Sequence, residues 1–207
     1  VPMSTPSRSG QLTALSMSAL ALLLEGPRHP YEMFQIMMSR REDVIVKLRA
    51  GTLYHSVGRL ADGGLVRAIG TERDGNRPER TTYEITPAGR EALRGAVAER
   101  LAVPAREYPI FPVALAEIHA LPAEEAIDRL RTRLDAVRED VRMLETGREA
   151  ALGRGTPPIH LLDLDYLITQ RRGEIDWLMR VIDRIGTPEL AWSPHSGATG
   201  FDQKAQL

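Results

Sequence analysis

The chain has 207 residues, 43% hydrophobic and 27% charged, with a formal net charge of −1, the proportions of an ordinary globular protein of one or two domains. It has no cysteine, which excludes disulfides, thiolate metal centres and cysteine nucleophiles, and its longest apolar run, Ala19 to Leu24, is far short of the roughly 20 residues that span a bilayer. Residues 1–105 hold 14 Lys and Arg against 11 Asp and Glu, and residues 106–207 hold 13 against 17; so mild an asymmetry does not by itself point to nucleic acid.

Residues 1–11 form a leader rich in Ser, Pro and Gly, expected to be flexible. It lacks the apolar core of a signal peptide, so the expected compartment is the cytoplasm. Leu12, Leu15, Ala19, Leu22 and Leu23 then recur at helical spacing until Gly26-Pro27 stops the helix. Pro30 suits the first turn of a second helix, with Tyr31, Phe34 and Met38 on one face and Met33 and Met37 nearby. Val44, Val46 and Leu48 alternate, as in a short strand or extended linker. A third helix begins at Gly51-Thr52, turns Leu53, Val57 and Leu60 inward, and closes at Gly63-Gly64. Leu65 to Glu72 and Arg80 to Ile85 read as two strands joined through the turn residues Asp74-Gly75-Asn76. Thr86-Pro87 caps a fourth helix with Leu93, Val97 and Leu101 as its inner stripe.

Helix, helix, helix, hairpin, helix within about 90 residues is the order of a winged helix-turn-helix, whose recognition helix enters the DNA major groove. The expected domain covers residues 12–103. Residues 104–186 form a helical second half, and residues 187–207, with Pro188, Pro194, Gly197 and Gly200, are expected to be a flexible tail.

In that second half Ile127, Leu130, Leu134, Val137, Val141 and Leu144 form a heptad seam. Leu161, Leu164, Ile168, Ile175, Leu178, Ile182 and Ile185 form another, interrupted at Arg171, and the Gly153 to Pro158 turn makes the two helices an antiparallel pair. A two-helix hairpin buries two long stripes poorly, so a second chain across a two-fold axis is the expected partner. Packing onto the N-terminal domain is the alternative.

The residues Gly51-Thr52-Leu53-Tyr54, Leu60 and Gly64-Leu65-Val66 resemble the recognition-helix signature of PadR-type transcriptional regulators. Pro30-Tyr31-Glu32 is similar to the family's second-helix opening, with Pro30 in place of the usual Gly; Arg77, Arg80, Tyr83 and Thr86-Pro87-Ala88-Gly89 resemble its wing and next helix. Ala50 stands where Pro is common, and Arg49 where Ser is. A looser likeness over Phe111 to Ile185 is similar to the helical C-terminal domain of the longer PadR branch. The resemblance implies a mainly α fold: an N-terminal winged helix-turn-helix with a two-stranded β wing, then an all-helical C-terminal dimerisation domain. It also implies a homodimeric regulator, usually a repressor, that leaves its double-stranded DNA operator when a small effector binds.

With Leu53, Val57 and Leu60 inward, His55, Arg59 and Asp62 lie opposite, flanked by Thr52 and Tyr54. Arg59 suits bidentate pairing with guanine, Thr52 a thymine methyl or a phosphate, and His55 either. Gly58 leaves room for the duplex, and Arg49 precedes the helix where backbone N–H groups also meet phosphate. Arg73, Arg77 and Arg80 gather on the wing for phosphate backbone or minor groove. The DNA-binding set is therefore Arg49, Thr52, Tyr54, His55, Arg59, Arg73, Arg77 and Arg80. The bland alternative at both places is a solvated polar face. Arg40, Arg41 and Lys47 are set aside because Glu42 and Asp43 lie among them.

Tyr108, Phe111, His119, Tyr166 and Trp177 supply aromatic surface for a small aromatic or hydrophobic effector, or else ordinary core; no effector residue is assigned. The five histidines have no metal-ligand spacing, and phosphate-cradling glycine loops and the nucleophile elbow are missing. No enzyme activity, metal or cofactor is expected. The competing class is a winged helix that binds protein through Tyr54 and His55, without direct DNA readout.

Overall fold

The computed structural model describes residues 12–72 and 80–192. The expected leader and the wing tip 73–79, with Arg73 and Arg77, lie outside the described residues. The chain divides into two compact units, Val1–Glu107 and Tyr108–Leu207.

In the first unit, helix α1 spans Ala14–Leu24 and helix α2 Pro30–Ser39. Thr13 caps α1 by accepting the Ser16 N–H on its hydroxyl. His29 caps α2 reciprocally: its Nδ1 accepts from Tyr31 N at 3.1 Å while its own N–H donates to Glu32 Oε2 at 3.2 Å. The inner face of α2 is Met33 and Met37, both fully buried, whereas Tyr31 and Met38 are exposed. The two stripes are neighbours on the wheel; the flexible Met33 and Met37 fill the core, and of the other stripe Phe34 packs against it.

No strand forms over Val44 to Leu48. Glu42–Val44 is a single 3-10 turn, entered through Arg41 in the left-handed region (φ 60°). Val46 is buried and Leu48 packs against the core, so that alternation reports two contacts of a loop.

Helix α3, Ala50–Asp62, buries Leu53, Val57 and Leu60. Gly64 turns the chain at φ +69° into strand β1, Val66–Glu72. Its antiparallel partner β2, Arg80–Ile85, pairs Val66 with Ile85 and Glu72 with Arg80, with an irregularity between Ala68 and Gly70. Arg28 bridges to Tyr83 through both backbone hydrogen bonds, tying the α1–α2 connection to the wing.

Helix α4, Pro87–Ala102, starts at Thr86, whose hydroxyl accepts from Gly89 N at 3.1 Å and donates to Gly64 O at 2.8 Å. The Thr86 N–H donates to Leu65 O. Gly89 is required there, because a Cβ would lie 2.0 Å from Leu65 O. The expected inner stripe of α4 is only partly inside: Leu93 is buried, but Val97 is 39% and Leu101 84% exposed. Ala92 and Ala96 pack on the core instead, small enough for the helix to lie close.

In the second unit, α5 spans Ile110–Ala116, α6 Ala123–Gly153 and α7 Leu162–Arg184. Side-chain pairs Arg133–Glu174, Glu145–Arg172 and Arg148–Asp165 link α6 to α7. The last two lie toward the Gly153 turn, as an antiparallel hairpin requires. The seams face each other: Leu130, Leu134, Val137, Val141 and Leu144 of α6 are buried, as are Leu161, Ile168, Leu178 and Ile185. Ile127, Leu164, Ile175 and Ile182 of the same seams are only half-buried, so the hairpin covers its two stripes in part. Phe111, Leu115 and Ile118 pack against the same cluster. The start of the expected tail turns back, with Gly186 N donating to Leu190 O at 3.1 Å and Trp192 packed on the cluster.

Candidate nucleic-acid interface

On α3, positions 52, 55, 59 and 62 fall within about 80° of one another at roughly 100° per residue. Thr52, His55, Arg59 and Asp62 are all exposed, on a helix whose other side is buried in core. Tyr54 flanks this stripe, 44% exposed, with its ring edge-on to His29 at 5.9 Å. Gly58 is open, since a Cβ there would meet nothing within 4 Å. Arg49 occupies the N-cap in an extended conformation and makes no side-chain cap, which leaves the first N–H groups of α3 turned toward whatever approaches that end.

The arginines around α1 to α3 and on strand β1 fall into two groups. Arg40 is forked on Glu25 at 2.5 and 2.8 Å, and that hydrogen bond holds its pKa still higher than usual. Arg41 pairs with Asp43 at 3.6 Å, Arg28 with Glu25 at 3.6 Å, and Arg67 with Glu84 across the wing strands. Arg49 and Arg59, by contrast, are exposed and have no acidic partner among the described residues. Exposed Lys47 is unpaired in the same sense, a residue the sequence reading set aside. The signal was masked because Glu42 and Asp43 seem in sequence to neutralise their neighbours, whereas the 3-10 turn commits Asp43 to Arg41 and leaves Lys47 three residues before α3. Arg80 opens β2 opposite Glu72; Arg73 and Arg77 lie outside the described residues.

Thus Arg49, Thr52, Tyr54, His55 and Arg59 share one helix and its entry, with cations at its start and along its outer face. An arrangement of unpaired guanidinium groups, hydroxyl and imidazole on the exposed side of a helix can hydrogen-bond phosphates and base edges. The buried polar residue of α3, Ser56, was not singled out in the sequence.

The aromatic residues of the second unit do not converge on one site. Phe111 packs edge-on to Trp177 at 6.1 Å beneath the Arg133 guanidinium, 3.5 Å from its ring centroid, while Tyr108 and Tyr166 are 86% and 62% exposed. His119 is half-buried, 3.9 Å from Glu117. An open groove of about 370 Å³ lies between α6 and α7, floored by Leu134, Met179 and Ile182 and rimmed by Arg131, Asp135, Arg138 and Asp183. Among the described residues no acidic or histidine cluster is placed to hold a metal, and no helix is long and apolar enough to cross a membrane.

Residues 19–95 match the model of the transcriptional regulator PadR-like family. No curated protein sequence matches the chain. Among solved structures, the chain is similar to Bacillus subtilis PadR in complex with operator DNA: TM-score 0.69, 19% identity, 83% of this chain and 98% of that one. It is similar to the same regulator in complex with p-coumaric acid, with TM-score 0.65, 17% identity, and coverage of 81% and 93%. It also resembles the Vibrio cholerae virulence activator AphA, with TM-score 0.63, 18% identity, and coverage of 83% and 97%. At these identities the likeness is one of fold, and it extends through the helices of the second unit.

Proposed function

We propose, from the match of residues 19–95 to the model of the PadR-like family of transcriptional regulators, that the chain is a sequence-specific DNA-binding regulator. It works as a homodimeric repressor in the cytoplasm, on an inverted-repeat operator from which a small effector releases it. The observation that carries this reading is the exposed face of α3, where Thr52, His55 and the unpaired Arg59 line up behind the unpaired Arg49. Arg59 reads a base edge, and Arg49 and Lys47 hold phosphate at the helix entry. Tyr54 packs against sugar or base methyls beside them. Arg73, Arg77 and Arg80 of the wing grip the flanking backbone.

The operator-bound structure of Bacillus subtilis PadR supports the DNA assignment, and its p-coumaric acid complex supports a small aromatic effector. Support for a second copy comes from apolar surface beyond the covered seams: Ile110 and Val113 on α5, and Ile159, Leu162 and Tyr166 at the hairpin end, are 56–80% exposed. A two-fold pair then presents two α3 helices to two half-sites.

Selection of bound duplexes from a random pool tests the whole reading. An inverted repeat is expected, with affinity falling steeply as salt rises. No enriched sequence, or binding to a protein partner that survives high salt, refutes it.

A further inference from the structure

We infer that a buried hydroxyl pair, Ser16 on α1 and Ser56 on α3, sets the rotational phase of α3 and so determines which of its side chains meet the base edges. The inference rests on the DNA-binding reading above. Ser16 and Ser56 are the buried polar side chains among the described residues, 6% and 0% exposed. Their oxygens lie 2.9 Å apart. Ser16 Oγ is also 2.8 Å from Thr13 Oγ1, which accepts the Ser16 N–H at 3.1 Å. Three hydroxyls therefore run from the cap of α1 into the middle of α3.

The other inward residues of α3, Leu53, Val57 and Leu60, are aliphatic. Aliphatic contact is non-directional, so these residues fix how deep α3 sits much better than how far it is rolled. A hydrogen bond is directional, and its geometry degrades within a few tenths of an ångström and a few tens of degrees. A buried hydroxyl that loses its partner keeps its desolvation penalty, so the pair holds α3 at one roll angle. Ser56 adjoins His55 and lies within four residues of Thr52 and Arg59, so the constraint acts at the centre of the exposed stripe. A roll of 20° moves side-chain tips on a helix of about 5–6 Å radius by about 2 Å, enough to break a bidentate contact to a base. Contacts to phosphate from long, flexible Arg and Lys side chains tolerate that displacement. The Ser16–Ser56 pair thus serves sequence discrimination more than general affinity, and these are positioning residues that touch no DNA themselves.

The test compares equilibrium binding of the full chain to its selected operator and to a random duplex of equal length, at one salt concentration. Ser16→Ala/Ser56→Ala removes both hydroxyls together and orphans neither. Operator affinity is expected to fall about tenfold, on the scale of one good base contact, while random-duplex affinity stays within about twofold. An operator-to-random ratio kept within about twofold overturns the inference, including the case where both affinities drop together, which is the mark of a purely structural role. Ser16→Ala alone leaves every α3 residue in place and is judged by the same ratio if the double variant does not fold. A wild-type chain with no preferred sequence overturns the DNA reading and this inference with it; a preferred sequence still discriminated by the variants overturns this inference alone.

Discussion

Helix α4 carries two glycines whose replacement by alanine is expected to change stability in opposite directions. At Gly89 an added Cβ would lie 2.0 Å from Leu65 O and 2.9 Å from Ile85 Cγ1, against the 3.4 Å at which ordinary contact begins. Relief requires α4 to back away by more than an ångström, yet its first turn is held by Thr86 bonding both Leu65 O and Gly64 O. Overpacking costs about 1–3 kcal/mol, and straining one of those hydrogen bonds costs about 1 kcal/mol. Alanine recovers about 1 kcal/mol over glycine in a helix. Gly89→Ala is therefore expected to lose about 1–3 kcal/mol, the result of those opposing effects. Gly95 lies on the exposed side of the same helix with nothing within 4 Å of its virtual Cβ. Gly95→Ala should gain about 0.5–1 kcal/mol by propensity and reduced unfolded-state freedom. Urea unfolding followed by far-ultraviolet circular dichroism measures both. Gly89→Ala as stable as the parent, or both variants shifting the same way, refutes the steric reasoning.

Four other outcomes are expected. Leu178→Ala, at a fully buried site of the hairpin, should cost about 2–5 kcal/mol in urea unfolding. Arg133→Ala removes both the cation above Phe111 and the 2.6 Å hydrogen bond to Glu174; it should cost about 1–2 kcal/mol and red-shift the tryptophan emission of a Trp192→Phe background, where Trp177 alone reports, as α5 loosens. Arg59→Ala should relax preference at one base pair by about 1–3 kcal/mol in competition binding, and full retention of discrimination removes Arg59 from the base-reading set. Lys47→Ala should weaken binding to all sequences alike and lower the log–log salt slope by about 1.

The order of elements in the first unit is readable because its punctuation is chemical: Gly26-Pro27 ends one helix, Pro30 and Thr86-Pro87 open others, and Gly64 turns one into a strand. The outer face of α3 is readable for the same reason, since Leu53, Val57 and Leu60 leave only one side for Thr52, His55 and Arg59. What a wheel cannot supply is the partner of each face. It offers Tyr31 or Met33 as inner residues of α2 equally well, and it carries the α4 stripe out to Leu101, where no core is left to meet it. In the second unit the seams are visible, but their mutual coverage depends on the tilt and register of α6 against α7, decided where residues far apart in sequence such as Leu130, Leu134 and Leu178 pack in one cluster. Lys47 and Ser56 escaped for a related reason. A loop conformation decides which cations find partners, and a serine looks solvent-facing until a second serine, 40 positions away, is brought beside it.

Thr86 stands where three elements meet: β2 runs into it, α4 departs from it, and its bonds to Gly64 and Leu65 clamp the exit of α3. Helix α3 and the wing therefore share a single pivot. The far end of α4 lies about 24 Å along its axis from that pivot, at about 1.5 Å per residue. A sideways force there would work as on a crowbar, tipping α3 and the wing in step.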